Sequence, residues 1–228
     1  MRVTLLRADD GEVLMEALRV CKNKVVTVDT IRRAILAGHE SVLEHIVYSF
    51  KIEGISRVCL AQLTRHRMAS HSVSSQRSIN QADAEFYVPD EVVGAARTHM
   101  KNHYERSLQE YHWLLNHGVS KEDARYVLPE STEVDLVMTI NLRSLRNFLR
   151  LRLDKHAQAE IRELANAMLN LIPTLYTEDI VAPRELPAGE AGQSLVVGEN
   201  DQPTWVRMPE VYVPRESLEG GMFLGGNL

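Results

Sequence analysis

The stretch Arg65 to Ser78, RHRMASHSVSSQRS, gathers three arginines (Arg65, Arg67, Arg77), two histidines (His66, His71) and five serines without one carboxylate. Arginine presents a planar fork of donors that matches phosphate and carboxylate, and serine hydroxyls with backbone N–H groups complete an anion cradle. Each charge-assisted contact contributes roughly 1.5–3 kcal/mol, so a few of them would hold a nucleotide. A basic helix end followed by a serine-rich surface turn has the same composition, and the motif alone does not separate the two readings. A second polar group follows in DARYVLPESTEVDLVMTINLRSLRNFLRLRLDKHAQAEIR. There Asn141 stands where a strand gives way to a helix, Arg143 and Asn147 are four apart, and so are Arg152 and His156. A helix N-terminus flanked by Asn and Arg favours an anion, so the second set strengthens the binding reading of the first.

The elements that must position these residues follow from periodicity. From His45 to Glu53, Ile46, Tyr48, Phe50 and Ile52 alternate with Val47, Ser49, Lys51 and Glu53, the pattern of a half-buried strand. Val134 to Ile140 repeats it with Val134, Leu136, Met138 and Ile140 on one side. Helical patterns start at Ser56 (SRVCLAQLTRHR), span Glu91 to Gly118, and run from Ala157 to Leu171 with Ala157, Ile161, Leu164, Met168 and Leu171 on one stripe. Strands and helices interleave without a strict strand-helix-strand repeat, which predicts a mixed α+β fold. After Val181 the chain turns rich in Gly, Pro and Glu, then shows the short extended runs SLVVG and TWVRMPEVYVP. The division expected is therefore a domain over 1–182 and a loop and hairpin extension over 183–228.

Composition bounds the function. With 228 residues the chain can bury one sizeable core. Its 26 Lys+Arg against 31 Asp+Glu argue against holding nucleic acid by general attraction, so the basic stretch is a local device. Two cysteines, Cys21 and Cys59, in apolar contexts predict neither a disulfide framework nor a thiolate metal site. The paired histidines of the long helix, His99 with His103 and His112 with His117, lack a third ligand, so no metal is expected. The first residues, MRVTLLRADDGEV, carry charge early and no long apolar run, which predicts a cytoplasmic protein without membrane contact.

The signature Arg65, His66, Arg67, Ser70, Ser75, Arg77 resembles that of the flavin-dependent thymidylate synthases. GHESVLEH (Gly38 to His45), EGISR (Glu53 to Arg57), Gln62, DARYVLP (Asp123 to Pro129) and NLRSLRNFLRLR with HAQ and EIR (Asn141 to Arg162) are similar to that family's segments in order, over about residues 1–180. The resemblance implies a twisted, mostly antiparallel sheet with flanking helices in each subunit of a homotetramer, with active sites shared between subunits. It implies FAD as cofactor, NADPH and methylenetetrahydrofolate as co-substrates, and methylation at C5 of a uracil nucleotide. Laid on matching positions, it puts Ser41, Arg65, His66, Arg67, Asn141, Arg143, Asn147 and His156 on the flavin. It puts Gln62, Ser75, Arg77, Arg125 and Arg152 on the nucleotide, with Arg125 at the phosphate, Arg152 at the uracil and His39 near the flavin and folate. Chemically, a cation at the pyrimidine carbonyl edge stabilises the charge that builds as C5 attacks a methylene electrophile, which suits Arg152. The other thymidylate synthase chemistry needs an activated thiol, and neither cysteine lies in a polar motif.

The departures are informative. The family usually carries Tyr where Ser78 stands, Gln or Glu at Val73, often an aromatic at His71, and commonly Trp at Ala159. Loss of the tyrosine ring would open room beside the sugar, where Ser78 would accept or donate a hydrogen bond to a ribose 2′-hydroxyl. That points to a UMP-accepting C5 methylase like the family's paralogue in polyoxin-type antibiotic pathways. The alternatives are an ordinary thymidylate synthase acting on dUMP only, and a non-catalytic flavin- or nucleotide-binding homologue, which Val73 would suit.

Overall fold

The structure is a computed structural model that describes residues 1–22, 25–180 and 211–212. Five strands form one sheet, β1 (Arg2–Ala8), β2 (Val47–Ser56), β3 (Ala69–Val73), β4 (Glu133–Asn141) and β5 (Val211–Tyr212), in the order β3-β4-β2-β1-β5. Every ladder in it is antiparallel. Around it lie seven helices among the described residues: α1 (Glu12–Lys22), α2 (Val28–Leu36), α3 (Arg57–Leu63), α4 (Gly94–Asn116), α5 (Lys121–Ala124), α6 (Leu142–Arg152) and α7 (Ala159–Leu169).

The two predicted strands pair with each other, and their apolar faces coincide. Tyr48 stands opposite Ile140, Phe50 opposite Met138 and Ile52 opposite Leu136, all of them buried. Onto that face pack Leu142, Leu145, Phe148 and Leu149 of α6 and Ile161, Leu164 and Met168 of α7. Burying each such side chain stabilises the fold by about 1.5–3 kcal/mol, so this single core holds the helices in fixed relation to the sheet. The opposite face carries polar residues, with Ser49 and Thr139 hydroxyls 2.9 Å apart. At the far end of β2 a bulge lies between Ile52 and Ile55, where Gly54 adopts φ +69° and donates its N–H to Asp135 Oδ1 at 2.9 Å.

Three expectations are corrected. The helix from Ser56 stops at Leu63 rather than continuing through Arg67, and Ser56 is its N-cap, its hydroxyl accepting from Cys59 N at 3.0 Å. The serine-rich run after it contains an edge strand, because β4 offers an unpaired edge and the alternation Ala69, His71, Val73 fits its inner face. The long helix is α4, bounded by Gly94 and Asn116 and stopped by Gly118 at φ +81°. The extension expected over 183–228 lies outside the described residues, apart from Val211–Tyr212, whose backbone pairs with Arg2 and Val3.

Candidate active site

The register of β3 on β4 explains why two motifs far apart in sequence meet. Ala69 stands opposite Ile140, so the preceding residues Arg65 to Met68 are delivered to the start of α6. Asn141 caps that helix, its side-chain oxygen accepting from Ser144 N at 2.8 Å. Between the two lies an open cleft of about 630 Å³, which Arg65, His66 and Arg67 line on one side and Arg143, Asn147 and Arg150 on the other. That volume is within the range of small-molecule and cofactor pockets.

The cleft's cations fall into two kinds. Arg143 is paired with Glu44 at 2.5 Å and Arg150 with Glu40 at 2.7 Å. Arg65 and Arg67 make no side-chain hydrogen bond or ion pair among the described residues and stay open to an anion. Deeper in, Arg152 Nε donates to His66 Nε2 at 3.1 Å, and Arg152 Nη2 lies 3.5 Å from the carbonyl of Gln62. His66 packs edge-on against Phe148 at 4.9 Å between ring centroids. Burial, then the neighbouring Arg152 and His71, hold the His66 pKa below its ordinary value, so the ring is neutral at pH 7. As an acceptor, Nε2 carries no proton, which puts the ring's proton on Nδ1.

Of the residues assigned by resemblance to the flavin, Arg65, His66, Arg67, Asn141, Arg143 and Asn147 come together in this cleft. Ser41 and His39 lie outside its lining, both exposed, in or beside the short 3₁₀ turn Glu40–His45 whose Glu40 and Glu44 do line it. His156 is exposed beyond α6, where its backbone N–H and its Nδ1 both lie 2.8 Å from Asp154 Oδ1. The substrate set divides. Arg152 lines the cleft and Gln62 lies behind it, hydrogen-bonded through its side chain to Gln158. Ser75, Ser78, Arg77 and Arg125 form a second cluster past the end of β3. The Ser75 hydroxyl accepts from Arg77 N at 3.2 Å, and the Ser75 carbonyl accepts from Ser78 N at 3.2 Å. Glu122 joins the two arginines, its carboxylate 2.7 Å from Arg77 Nε and its carbonyl accepting from Arg125 Nε at 2.9 Å.

The sequence reading missed Glu40, Glu44 and Arg150 in the cleft, and Arg146 behind it. Arg146 is fully buried on the apolar face of α6, where it donates to both Asp179 oxygens (2.9 and 2.8 Å), to Glu40 (3.0 Å) and to the carbonyl of Tyr176. Arg150 completes this closed network on Glu40 and Asp179. The available signal was spacing: Arg143, Arg146 and Arg150 follow i, i+3, i+7 on one helix, and Glu40 and Glu44 are four apart. Cys59 lies on the buried face of α3, and burial, with Glu160 nearby, pushes its thiol well above the ordinary range, so it is no nucleophile.

An antiparallel sheet thus presents, at a capped helix start, a cleft rich in arginines, two of them without a partner among the described residues, which is a surface suited to an anion. Comparison with known proteins makes this specific. The chain belongs to the family described as thymidylate synthase complementing protein, which matches residues 4–175. It is similar to the flavin-dependent thymidylate synthase of Sulfurisphaera tokodaii, with 44% identity over 149 residues that make up 64% of this chain and 58% of the relative. The chain thus spans less than two thirds of that relative's length. The flavin-dependent thymidylate synthase of Geobacter sulfurreducens is 36% identical over 203 residues, covering 78% of this chain and 86% of the relative. Among solved structures, that of the Helicobacter pylori flavin-dependent thymidylate synthase complexed with FAD and dUMP superposes with a TM-score of 0.66 at 29% identity, covering 77% of this chain and 97% of the other.

Proposed function

We propose that this protein methylates C5 of a uracil nucleotide monophosphate reductively, with FAD as cofactor and methylenetetrahydrofolate and NADPH as co-substrates. The observation that carries this reading is the cleft itself: Arg65 and Arg67 without partners among the described residues, beside Arg152 held on a neutral His66 at 3.1 Å. A flavin dinucleotide carries a diphosphate, and the unpaired Arg65 and Arg67 with Arg143, Asn141 and Asn147 offer it cations and amide donors, so the residues fit the group. When bound, the flavin supplies the hydride chemistry of the reduction. This chain's part is binding and charge. Arg152, oriented through its Nε on His66, presents its remaining donors to the pyrimidine carbonyl edge and stabilises the negative charge that develops there as C5 attacks. His66, neutral, fixes the guanidinium rather than competing with it for the anion. Gln62 supports the same end, while Ser75, Arg77 and Arg125 take the sugar and phosphate.

In one chain the Arg152 end and the Arg77–Arg125 cluster are separate groupings, which supports a homotetramer whose subunits complete each other's sites. Ser41, His39 and His156, exposed beside the cleft, are assigned to the flavin and folate side on the same basis. At Ser78 the side chain is exposed and makes no side-chain hydrogen bond among the described residues, so its hydroxyl is available to a ribose 2′-hydroxyl. That favours UMP as well as dUMP as substrate. The test is a side-by-side assay of the purified protein with FAD, NADPH and methylenetetrahydrofolate, reading 5-methyl product from each nucleotide by mass spectrometry. Product from UMP supports the specialised methylase; product from dUMP alone leaves an ordinary thymidylate synthase; product from neither removes the catalytic reading.

A further inference from the structure

Arg152 dictates the protonation state of the ring beside it. Its Nε donates to His66 Nε2 at 3.1 Å, and a guanidinium keeps its hydrogens at every pH a folded protein meets. Nε2 can therefore accept only while it is unprotonated. An imidazolium carries a hydrogen on both nitrogens, so a proton taken up at Nε2 sets two donors against each other and the contact opens. Little then holds Arg152. Its Nη2 lies 3.5 Å from the carbonyl of Gln62, at the limit of a hydrogen bond, and among the described residues it meets no carboxylate.

The surroundings set the direction of that proton's equilibrium. His66 is half-buried, with Phe148 edge-on at 4.9 Å. The charged and titratable groups that face it are cations or bases: Arg152 on α6, His71 on β3 and, along its own segment, Arg65 and Arg67. The cleft's two carboxylates are held elsewhere, Glu44 by Arg143 at 2.5 Å and Glu40 by Arg150 at 2.7 Å. His71 brings no compensation, since its Nε2 is sealed from solvent without a partner. A proton on His66 thus adds a cation to a group of cations, and burial, with the charge of Arg152, moves the ring's titration to the acid side of an ordinary histidine.

We infer that His66 is a proton-operated switch on Arg152: unprotonated, it aims the guanidinium into the cleft, and a proton on Nε2 releases it and turns the site off in acid. The consequence for turnover rests on the uracil-methylation reading; the switch itself rests on the contact. His66 is thereby a positioning residue that acts through Arg152. The competent form is the neutral ring, so turnover is full above the folded pKa of His66 and falls as pH drops through it. With Arg152 released, kcat falls on the order of 10- to 100-fold, the loss typical of one charged hydrogen bond.

The experiment follows kcat of the flavin-loaded protein at saturating UMP or dUMP from about pH 5 to 8, for wild type and for His66→Gln, whose amide oxygen accepts from Arg152 but does not titrate. Flavin content is read by absorbance at every pH. The same titration by NMR, on protein with isotope-labelled histidine and arginine, reports the protonation of His66 Nε2 and the Arg152 Nε signal. Expected are an unprotonated Nε2 at neutral pH, one midpoint shared by His66, Arg152 Nε and kcat, and an acid limb in wild type that His66→Gln lacks. An acid limb of equal depth in His66→Gln, a protonated Nε2 at neutral pH, or an Arg152 signal that ignores the His66 titration overturns the switch. So does a fall in kcat that follows loss of flavin. If His66→Gln does not fold, the wild-type NMR midpoints decide alone. If neither nucleotide is methylated, coupled His66 and Arg152 midpoints uphold the switch and remove the uracil-methylation reading, whereas uncoupled midpoints remove both.

Discussion

Asp179→Asn isolates what the buried arginine behind the cleft does. Arg146 has no exposed side-chain surface, and Asp179 meets it with two bonds of 2.9 and 2.8 Å. Removing one partner of a buried pair costs about 3–5 kcal/mol, because the other charge is left in a poor environment. Here the loss is smaller: Glu40 still pairs with Arg146 at 3.0 Å, and the Asp179 side chain is 25% exposed. We expect about 2–3 kcal/mol. In urea unfolding at one protein concentration, with a slope near 2 kcal/mol per molar, that moves the midpoint down by about 1–1.5 M. The control is Asp29→Asn, whose pair with Arg32 is 42% and 75% exposed on its two sides and should cost less than about 1 kcal/mol. The pH dependence adds a second reading. Burial pushes the Asp179 carboxyl up, but the hydrogen bond and charge of Arg146 and the bond from Arg150 outweigh it and hold it below the usual value. Glu40 behaves likewise under Arg150 and Arg146. For an acid whose folded pKa lies below its unfolded value near 4, the stabilisation is full above that value and is lost as pH falls through the folded one. The gap between wild type and Asp179→Asn should therefore be constant near neutrality and close as pH falls below about 4. A midpoint shift no larger than that of Asp29→Asn, or a gap that widens in acid, would refute the argument.

Further substitutions test other parts of the structure. Arg152→Ala should lower turnover at saturating substrate on the order of 100-fold, by removing charge stabilisation at the reacting ring, whereas Arg125→Ala should act mainly on nucleotide affinity; steady-state kinetics with both variants separates the roles, and equal effects confined to KM would undo the division. Gly54→Ala forces a left-handed φ of +69° on a residue with a Cβ, which would also sit 3.1 Å from Glu133 Oε2; a loss of about 1–2 kcal/mol should appear as a fall of several degrees in Tm. Ser56→Ala removes both the α3 cap and a 2.5 Å bond to the buried Glu160, and chemical denaturation should show a loss of about 2–3 kcal/mol.

What the sequence disclosed depended on how the residues earn their burial. The strands around Phe50 and Met138 are half-buried, so their alternation is strict and their phase could be read, whereas their pairing with each other is seen only in the folded sheet. The edge strand Ala69–Val73 escaped because its side chains are small, polar or only partly covered, and what makes it a strand is the free edge of β4 rather than its own composition. For the same reason the helix before it looked longer: Thr64 to Arg67 suit a helix, but the chain must leave it to reach that edge. In the site, Arg65, His66 and Asn141 were legible from residue type and spacing. Glu40, Glu44 and Arg150 were not, since their meaning lies in pairs formed between segments about a hundred residues apart. Arg146 reads in sequence as one more cation on a charged helix, and only packing shows it inward among Leu142, Leu145 and Phe148.

The arginines around the site obey one division of labour. Those that meet a carboxylate of this chain, Arg143 on Glu44 and Arg146 and Arg150 on Glu40 and Asp179, have their charge compensated at folding and serve to hold α6, the 3₁₀ turn and the segment after Tyr176 in place. Those with no such partner among the described residues, Arg65 and Arg67, carry charge that folding leaves uncompensated, and their mutual repulsion lowers stability. The two groups must then respond oppositely to neutralisation. Taking the charge from Arg146 weakens the fold whether or not ligand is present. Taking it from Arg65 or Arg67 leaves the free protein as stable or slightly more so, and removes the extra stability that a bound anion adds through its preference for the folded state. Melting each variant with and without saturating FAD or nucleotide distinguishes them: the Arg146 variant falls in both conditions, while the Arg65 and Arg67 variants lose only the shift that ligand produces.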